Sequence, residues 1–193
     1  MSRYIVGITG ASGSIYGVRL IQELIKQDNE VYLVVTDNGI KVLEYELEIN
    51  FGKWVENINK NKSLVKLCAI DDMFASIASG SFKTDGMVIV PCSMGTLSKI
   101  SSGMADNLLT RAADVMIKEK RKLILIPRET PLSSIHLQNM LFLSNLNVLI
   151  IPPMPAFYEK PKTIDDIVNV TVGRILTSLN VDNDLYNEWG VSK

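Results

Sequence analysis

The chain has 193 residues, 47% of them apolar and 21% charged, and a formal net charge of −1. That length fits one domain with room for a three-layer core, and the even charge balance lacks the basic excess of a nucleic-acid binder. No apolar run approaches the ~20 residues that span a membrane, and MSRYIVGITG lacks the long apolar region and cleavage site of a secretory signal, so a single cytoplasmic domain over 1–193 is expected.

In chain order, Tyr4 to Ile8 read as a buried strand that runs into GASGS, with Gly7, Gly10 and Gly13 recurring every third residue. Ser14 is placed to cap an amphipathic helix over 15–26. A strand that ends in glycine at a helix N-terminus lets the backbone come close to an anion. Unpaired N–H groups and the helix dipole both favour phosphate there. The loop therefore points to a nucleotide or flavin, and alone to nothing narrower.

Further apolar strand segments fall at 31–35, 65–70, 86–91, 122–127 and 147–151. Helical patterns lie at 14–27, 38–47, 106–121, 133–145 and 164–180. Strands alternating with helices of this length form βαβ units and a parallel sheet. MVIVP, KLILIP and NVLIIPP are almost wholly apolar, so helices cover both faces. The expected fold is a three-layer αβα sandwich around a Rossmann-like, doubly wound parallel sheet of about six strands. Its high apolar fraction also leaves surface for contact with another subunit.

Ligands in such sheets sit beyond the carboxyl ends of the strands. The segments there are small and polar: GASGS, Thr36-Asp37-Asn38-Gly39, Ser93-Met94-Gly95-Thr96 with Ser98, Ser101 and Ser102 behind it, Arg128-Glu129-Thr130, and Pro155-Ala156-Phe157-Tyr158. One such loop is ordinary turn chemistry, whereas several on one edge make a site rich in hydroxyls and backbone donors. Arg111, Asp114 and Lys118 share one helix face, which by itself reads as a solvated stripe. Arg174 lies among apolar residues of the last helix, snorkelling to solvent or paired with an anion. Cys68 and Cys92 read as buried and reduced, and a single histidine, His136, argues against a zinc site. Tyr158 and Lys162 have the spacing of a dehydrogenase Tyr-x-x-x-Lys pair, but Pro161 between them breaks the required helix.

The strings GITGASGSIYGVRL, ASGSF, PCSMGTLSKISSG, DNLLTRAADVMIKEKRKLILIPRETPLSSIHLQNM and PPMPAFYEKPKTIDDIV resemble the UbiX-type flavin prenyltransferases over nearly the whole chain. RAADV, PRETP and AFY-x-x-P carry the specificity of that match. The resemblance implies that reduced FMN lies against Gly10, Ala11 and Ser12, with its phosphate near Thr36, where the family commonly has serine. Ser93, Met94, Gly95, Thr96 and Arg111 complete the implied flavin site. The second substrate is then dimethylallyl phosphate, held by Lys118, Arg128, Tyr158 and Arg174. Glu46 and Glu129 match active-site glutamates. Trp189, in a tail over 181–193, matches an aromatic that closes the site of a neighbouring subunit. Glu159 and Lys160 depart from the family, which often has histidine followed by arginine or glutamine, and this bears on fine substrate preference.

The implied reaction joins a dimethylallyl group to N5 and C6 of reduced FMN without a metal, in a homododecamer whose product serves a UbiD-type decarboxylase. Fixed cations would hold the leaving phosphate, and flavin with Trp189 would wall the carbocation. Glu46 is the candidate base for the C6 proton, and Ser12 and Glu129 would tune protons near N5. The family's older label is aromatic acid decarboxylase subunit. Two rivals share the cofactor: an FMN-dependent cysteine-type decarboxylase, whose early histidine His136 does not match, and a non-catalytic flavin carrier.

Overall fold

The computed structural model describes residues 1–186. Six parallel strands form one sheet: β1 (Arg3–Ile8), β2 (Glu30–Val35), β3 (Val65–Cys68), β4 (Gly86–Cys92), β5 (Leu123–Pro127) and β6 (Leu149–Ile150). Their order across the sheet is β3-β2-β1-β4-β5-β6. β1 pairs with β2 from Arg3↔Glu30 to Ile8↔Val35, and with β4 from Tyr4↔Gly86 to Gly7↔Ile89. The direction of winding reverses between β1 and β4, so the crevice at their carboxyl ends is the topological switch point where ligands bind.

Alternation along the strands feeds two cores. Val6, Ile8, Leu33, Val88 and Ile124 face one side, where they meet helices α1 (Ser14–Lys26), α2 (Asp37–Leu47), α3 (Phe51–Ile58) and α7 (Ile164–Ser178). Ile5, Val34, Met87, Ile89 and Leu125 face the other, under α4 (Met94–Ser101), α5 (Leu108–Lys118) and α6 (Ser134–Asn145). This is the expected three-layer αβα sandwich.

Two helices were hidden in segments that read as loops. MGTLSKIS carries a glycine and three hydroxyl residues, yet it forms α4 because Met94, Leu97 and Ile100 are buried on one face and Ser93 caps its start. The polar run after β4 is therefore a cap and a helical turn, not a loop. FGKWVENI forms α3 behind the Asn50 cap, with Phe51 and Trp54 rings in contact. The expected helix over 106–121 is shorter at both ends, because Asn107 caps it and Glu119 ends it. Residues 181–186 pack back on this chain's own core, where Val181 is buried and Asp182 O accepts from Gln27 Nε2 at 2.9 Å.

Pro91 stands in a central strand, where the missing N–H is normally excluded, and the β4–β5 register shifts between Ile89 and Cys92 to accommodate it. Thr9 closes the gap across the switch point. Its buried hydroxyl donates to Pro91 O at 2.8 Å and accepts from Ser93 N at 2.7 Å. The Thr9 N–H reaches the same carbonyl at 3.2 Å. Replacing Thr9 by the near-isosteric valine removes both side-chain bonds and strands Ser93 N, which should cost about 2 kcal/mol. Urea unfolding of Thr9→Val is expected to show a lower midpoint at unchanged slope; an unchanged midpoint would deny the hydroxyl this role.

Candidate functional site

A cavity of about 530 Å³ opens at the switch point, lined by Gly10, Thr36, Asn38, Ser93, Gly95, Thr96 and Asn107 among others. Three helices begin on it. Thr36 caps α2 by accepting from Gly39 N at 3.0 Å, Ser93 caps α4 by accepting from Thr96 N at 3.3 Å, and Asn107 caps α5 by accepting from Thr110 N at 3.0 Å. Each cap satisfies one N–H at the positive end of a dipole; the first turns of α2 and α4 keep their other N–H groups for a ligand, whereas Leu108 N of α5 already donates to Ile70 O at 2.8 Å. Three such ends around one cavity suit an anion. A side chain at Gly95 would meet nothing within 4 Å, so a ligand can approach that backbone freely.

The loop after β1 forms the opposite wall. Ala11 is buried, Gly10 and Ser12 are exposed, and a Cβ on Gly10 would meet Asn38 Cβ at 2.7 Å, so only glycine lets the loop lie against α2. Gly13 is left-handed at φ 108 and provides no side-chain cap for α1. Ser14 is not the cap that its position suggested. It is the first helical residue, and its fully buried Oγ has no hydrogen-bond partner. The cap comes from α2 instead. The Glu46 carboxylate accepts from Gly13 N at 3.0 Å and from Ser14 N at 2.9 Å. Partial burial raises the carboxyl's pKa, but the Ser12 hydroxyl and the two N–H groups outweigh it and hold Glu46 below the usual glutamate range.

Arg128 follows β5 and donates from Nε to Ser12 O at 3.3 Å, which brings it beside this loop. Glu129 is exposed and accepts from Thr130 N at 3.0 Å. Arg111 is not on the lining of the cavity. It donates from Nε to Ala78 O at 3.1 Å and pairs with Asp114 at 2.7 Å. Lys118 pairs with Glu119 at 2.6 Å close to Gly80. The Arg111–Lys118 face of α5 is thus no free stripe, since it rests on the 78–82 segment. Tyr158 is exposed in a 3-10 turn over Phe157–Glu159, and Arg174 is exposed on α7. The helix required by a Tyr-x-x-x-Lys pair is absent there, as Pro161 implied.

Two of the residues matched to a donor phosphate, Lys118 and Arg174, come from opposite layers of the sandwich. Lys118 stands on α5 and Arg174 on α7, and those helices cover opposite faces of the sheet. Trp189 lies outside the described residues. His136 is bound into the start of α6, where Nδ1 accepts from Ser133 N at 3.2 Å. Cys92 is buried at the end of β4 and its thiol is pushed up to about 12 by that burial, so it is inert. Among the described residues no group of three His, Cys, Asp or Glu could hold a metal ion, and no helix is long and apolar enough to cross a membrane.

Sequence reading missed Lys41, Lys99 and Asn107, all on the cavity. Asn107 was within reach, because an asparagine three residues before Thr110 is a capping signal.

The flavoprotein family model matches residues 1–176. Flavin prenyltransferase UbiX of Halalkalibacterium halodurans is 50% identical over 191 residues, covering 97% of this chain and 93% of its own. A crystal structure of AnUbiX in complex with FMN and dimethylallyl pyrophosphate is 39% identical with a TM-score of 0.92, covering 100% of this chain and 99% of its own. A dodecameric FMN-dependent UbiX-like decarboxylase from Escherichia coli O157:H7 is 44% identical with a TM-score of 0.90, over 98% and 100% of the two chains.

A carboxylate whose pKa is lowered by folding stabilises the protein above its unfolded value, and that contribution disappears as pH falls through the folded value. Glu46→Gln should therefore cost about 1 kcal/mol at neutral pH, the scale of a helix cap. The gap between the two proteins should close as pH falls below the usual glutamate range. Thermal unfolding of both across pH checks this, and a gap that persists in acid would refute it.

Proposed function

The chain belongs to the flavoprotein family and acts as a flavin prenyltransferase, and we propose that reduced FMN binds at the switch-point cavity to receive a dimethylallyl group at N5 and C6. The observation that carries this reading is the convergence of three helix N-termini on a cavity walled at Gly10 by the same loop that bears Ser12 and meets Glu46 and Arg128. Gly10, Ala11 and Ser12 lie along the flavin, and Thr36, Ser93, Met94, Gly95 and Thr96 hold it from the phosphate side.

In the reaction the bond from C1 of the donor to phosphate breaks and the N5–C1 bond forms, with loss of the N5 proton. Protonation at C2 of the prenyl group leaves a tertiary cation at C3. C6 attacks that cation and then gives up its own proton. No electrons are exchanged, and the departing phosphate takes the net proton. Arg128 and Tyr158 stabilise the leaving phosphate, since charge develops there in the transition state. Ser12 and Glu129 relay protons near N5. Glu46 is ionised throughout the neutral range and can accept the C6 proton. Its lowered pKa makes it a weak base, so phosphate, with a pKa of about 6, is the better final acceptor.

Lys118 and Arg174 reach the donor site from different copies of the chain, Arg111 belongs to the flavin side, and Trp189 closes the site from a neighbour. Support comes from the positions of α5 and α7 on opposite faces, and from α6, whose Leu137, Leu141 and Phe142 are each about half or more exposed. We propose a homododecamer of single-domain chains in the cytoplasm, with the product passing to a UbiD-type decarboxylase. A cysteine decarboxylase is not favoured, because the lone histidine is occupied in a helix cap. The donor carries one phosphate or two, and the assay below uses both.

Incubating the protein with reduced FMN and dimethylallyl phosphate, then weighing the flavin, should show the gain of one C5 unit. A flavin unchanged with both the monophosphate and diphosphate donors overturns the reading. Tyr158→Phe and Arg174→Ala should lower turnover by about a hundredfold while FMN stays bound. A flavin carrier would be indifferent to both. Leu141→Glu should shrink the assembly on size-exclusion chromatography and lower turnover with it.

A further inference from the structure

We infer that Lys41 supplies the positive charge that neutralises the flavin phosphate, a role that rests on the flavin-binding reading above. A phosphate monoester carries close to two negative charges at neutral pH, and helix N-termini offer only partial charges. A full cation on the cavity wall is therefore expected. Two lysines line it, Lys41 and Lys99, together with one carboxylate, Asp37. Lys99 is engaged with Asp106 at 2.6 Å. Arg111 is bound to Asp114 and Ala78 O, away from that lining.

Lys41 makes no hydrogen bond or ion pair among the described residues, although Asp37 stands one turn before it on α2. Its location is also poor for its own helix. A cation in the second turn lies toward the positive end of the dipole, where carboxylates and not lysines are stabilised. A phosphate seated over the Thr36 cap reverses that sign, and the flexible four-carbon stem of lysine lets the ammonium reach it. Asp37 then becomes the reason that one lysine is needed, since it offsets part of the field that the three helix ends create.

The test compares oxidised FMN with riboflavin, which lacks the phosphate, by quenching of flavin fluorescence. Lys41→Gln should weaken FMN about tenfold, the scale of one charge-assisted hydrogen bond near a surface, and leave riboflavin unchanged. It should also flatten the salt dependence of FMN binding. Asp37→Asn, on the same helix, should not weaken FMN. Equal FMN affinity in wild type and Lys41→Gln overturns the inference. So does parallel weakening of FMN and riboflavin, because the lysine would then support the helix and not the phosphate. Wild-type protein that binds neither flavin overturns the flavin reading instead.

Discussion

The site is organised by one carboxylate from α2 at the start of α1. Gly13 must be left-handed for the loop after β1 to turn into α1, and a glycine there brings no side-chain oxygen to the first N–H groups. Glu46 supplies it from across the crevice. The arrangement couples the two walls of the cavity, because α2 is itself fixed at its other end by Thr36, a cavity residue. Anything that shifts α2, including a ligand on its N-terminus, is felt at Ser12. The cavity wall and the loop after β1 are therefore tied into one body through α2. Thr9 extends that body to β4 by joining the carboxyl ends of the two central strands.

Doubly wound topology also limits what one chain can do. Winding outward from the switch point puts α1, α2, α3 and α7 on one face and α4, α5 and α6 on the other. A site confined to the carboxyl edge can draw on loops from both halves, but not on residues far along the helices of both faces. Arg174, far along α7, and Lys118, at the end of α5, are such residues. If both serve one phosphate, assembly is a catalytic requirement and not only a source of stability. The apolar outer surface of α6 agrees with this, since Leu141 at 64% and Phe142 at 51% exposure would be costly to leave in water.

Patterns that depend on burial were legible in the sequence, and those that depend on partners were not. All six strands were visible because each is an apolar run set between turn residues. Gly10, Thr36, Ser93 and Thr96 could be placed on the site because they follow strands, and the strand-end rule needs no side-chain geometry. Helix α4 was lost because its three buried residues are diluted by glycine and hydroxyls, and only the core beneath them shows that they face inward. Ser14 misled for a related reason. A serine at a helix start looks like a cap, yet the backbone at Gly13 had already shifted the helix by one residue and given the cap to a glutamate 32 positions away. No local rule could find that pairing. Glu46 was named only through resemblance, and its capping role is a tertiary fact.

The two phosphates of the proposed reaction need opposite treatment, and the charges in the fold are divided accordingly. The flavin phosphate must be held through turnover, so the fixed helix ends at Thr36, Ser93 and Asn107, whose geometry costs nothing to reorganise, suit it together with the ammonium of Lys41. The donor phosphate gains charge as its bond to carbon breaks, and only full cations and a phenol that strengthen their grip at that moment lower the barrier. Arg128 and Tyr158 stand exposed at the same edge, beyond the rigid cage. Had the arginine lined the helix-capped cavity, it would have stabilised the resident phosphate and left the departing one to water. In the proposed reaction the fixed helix ends with Lys41 thus hold one phosphate at this edge, and the exposed Arg128 and Tyr158 serve the one that leaves.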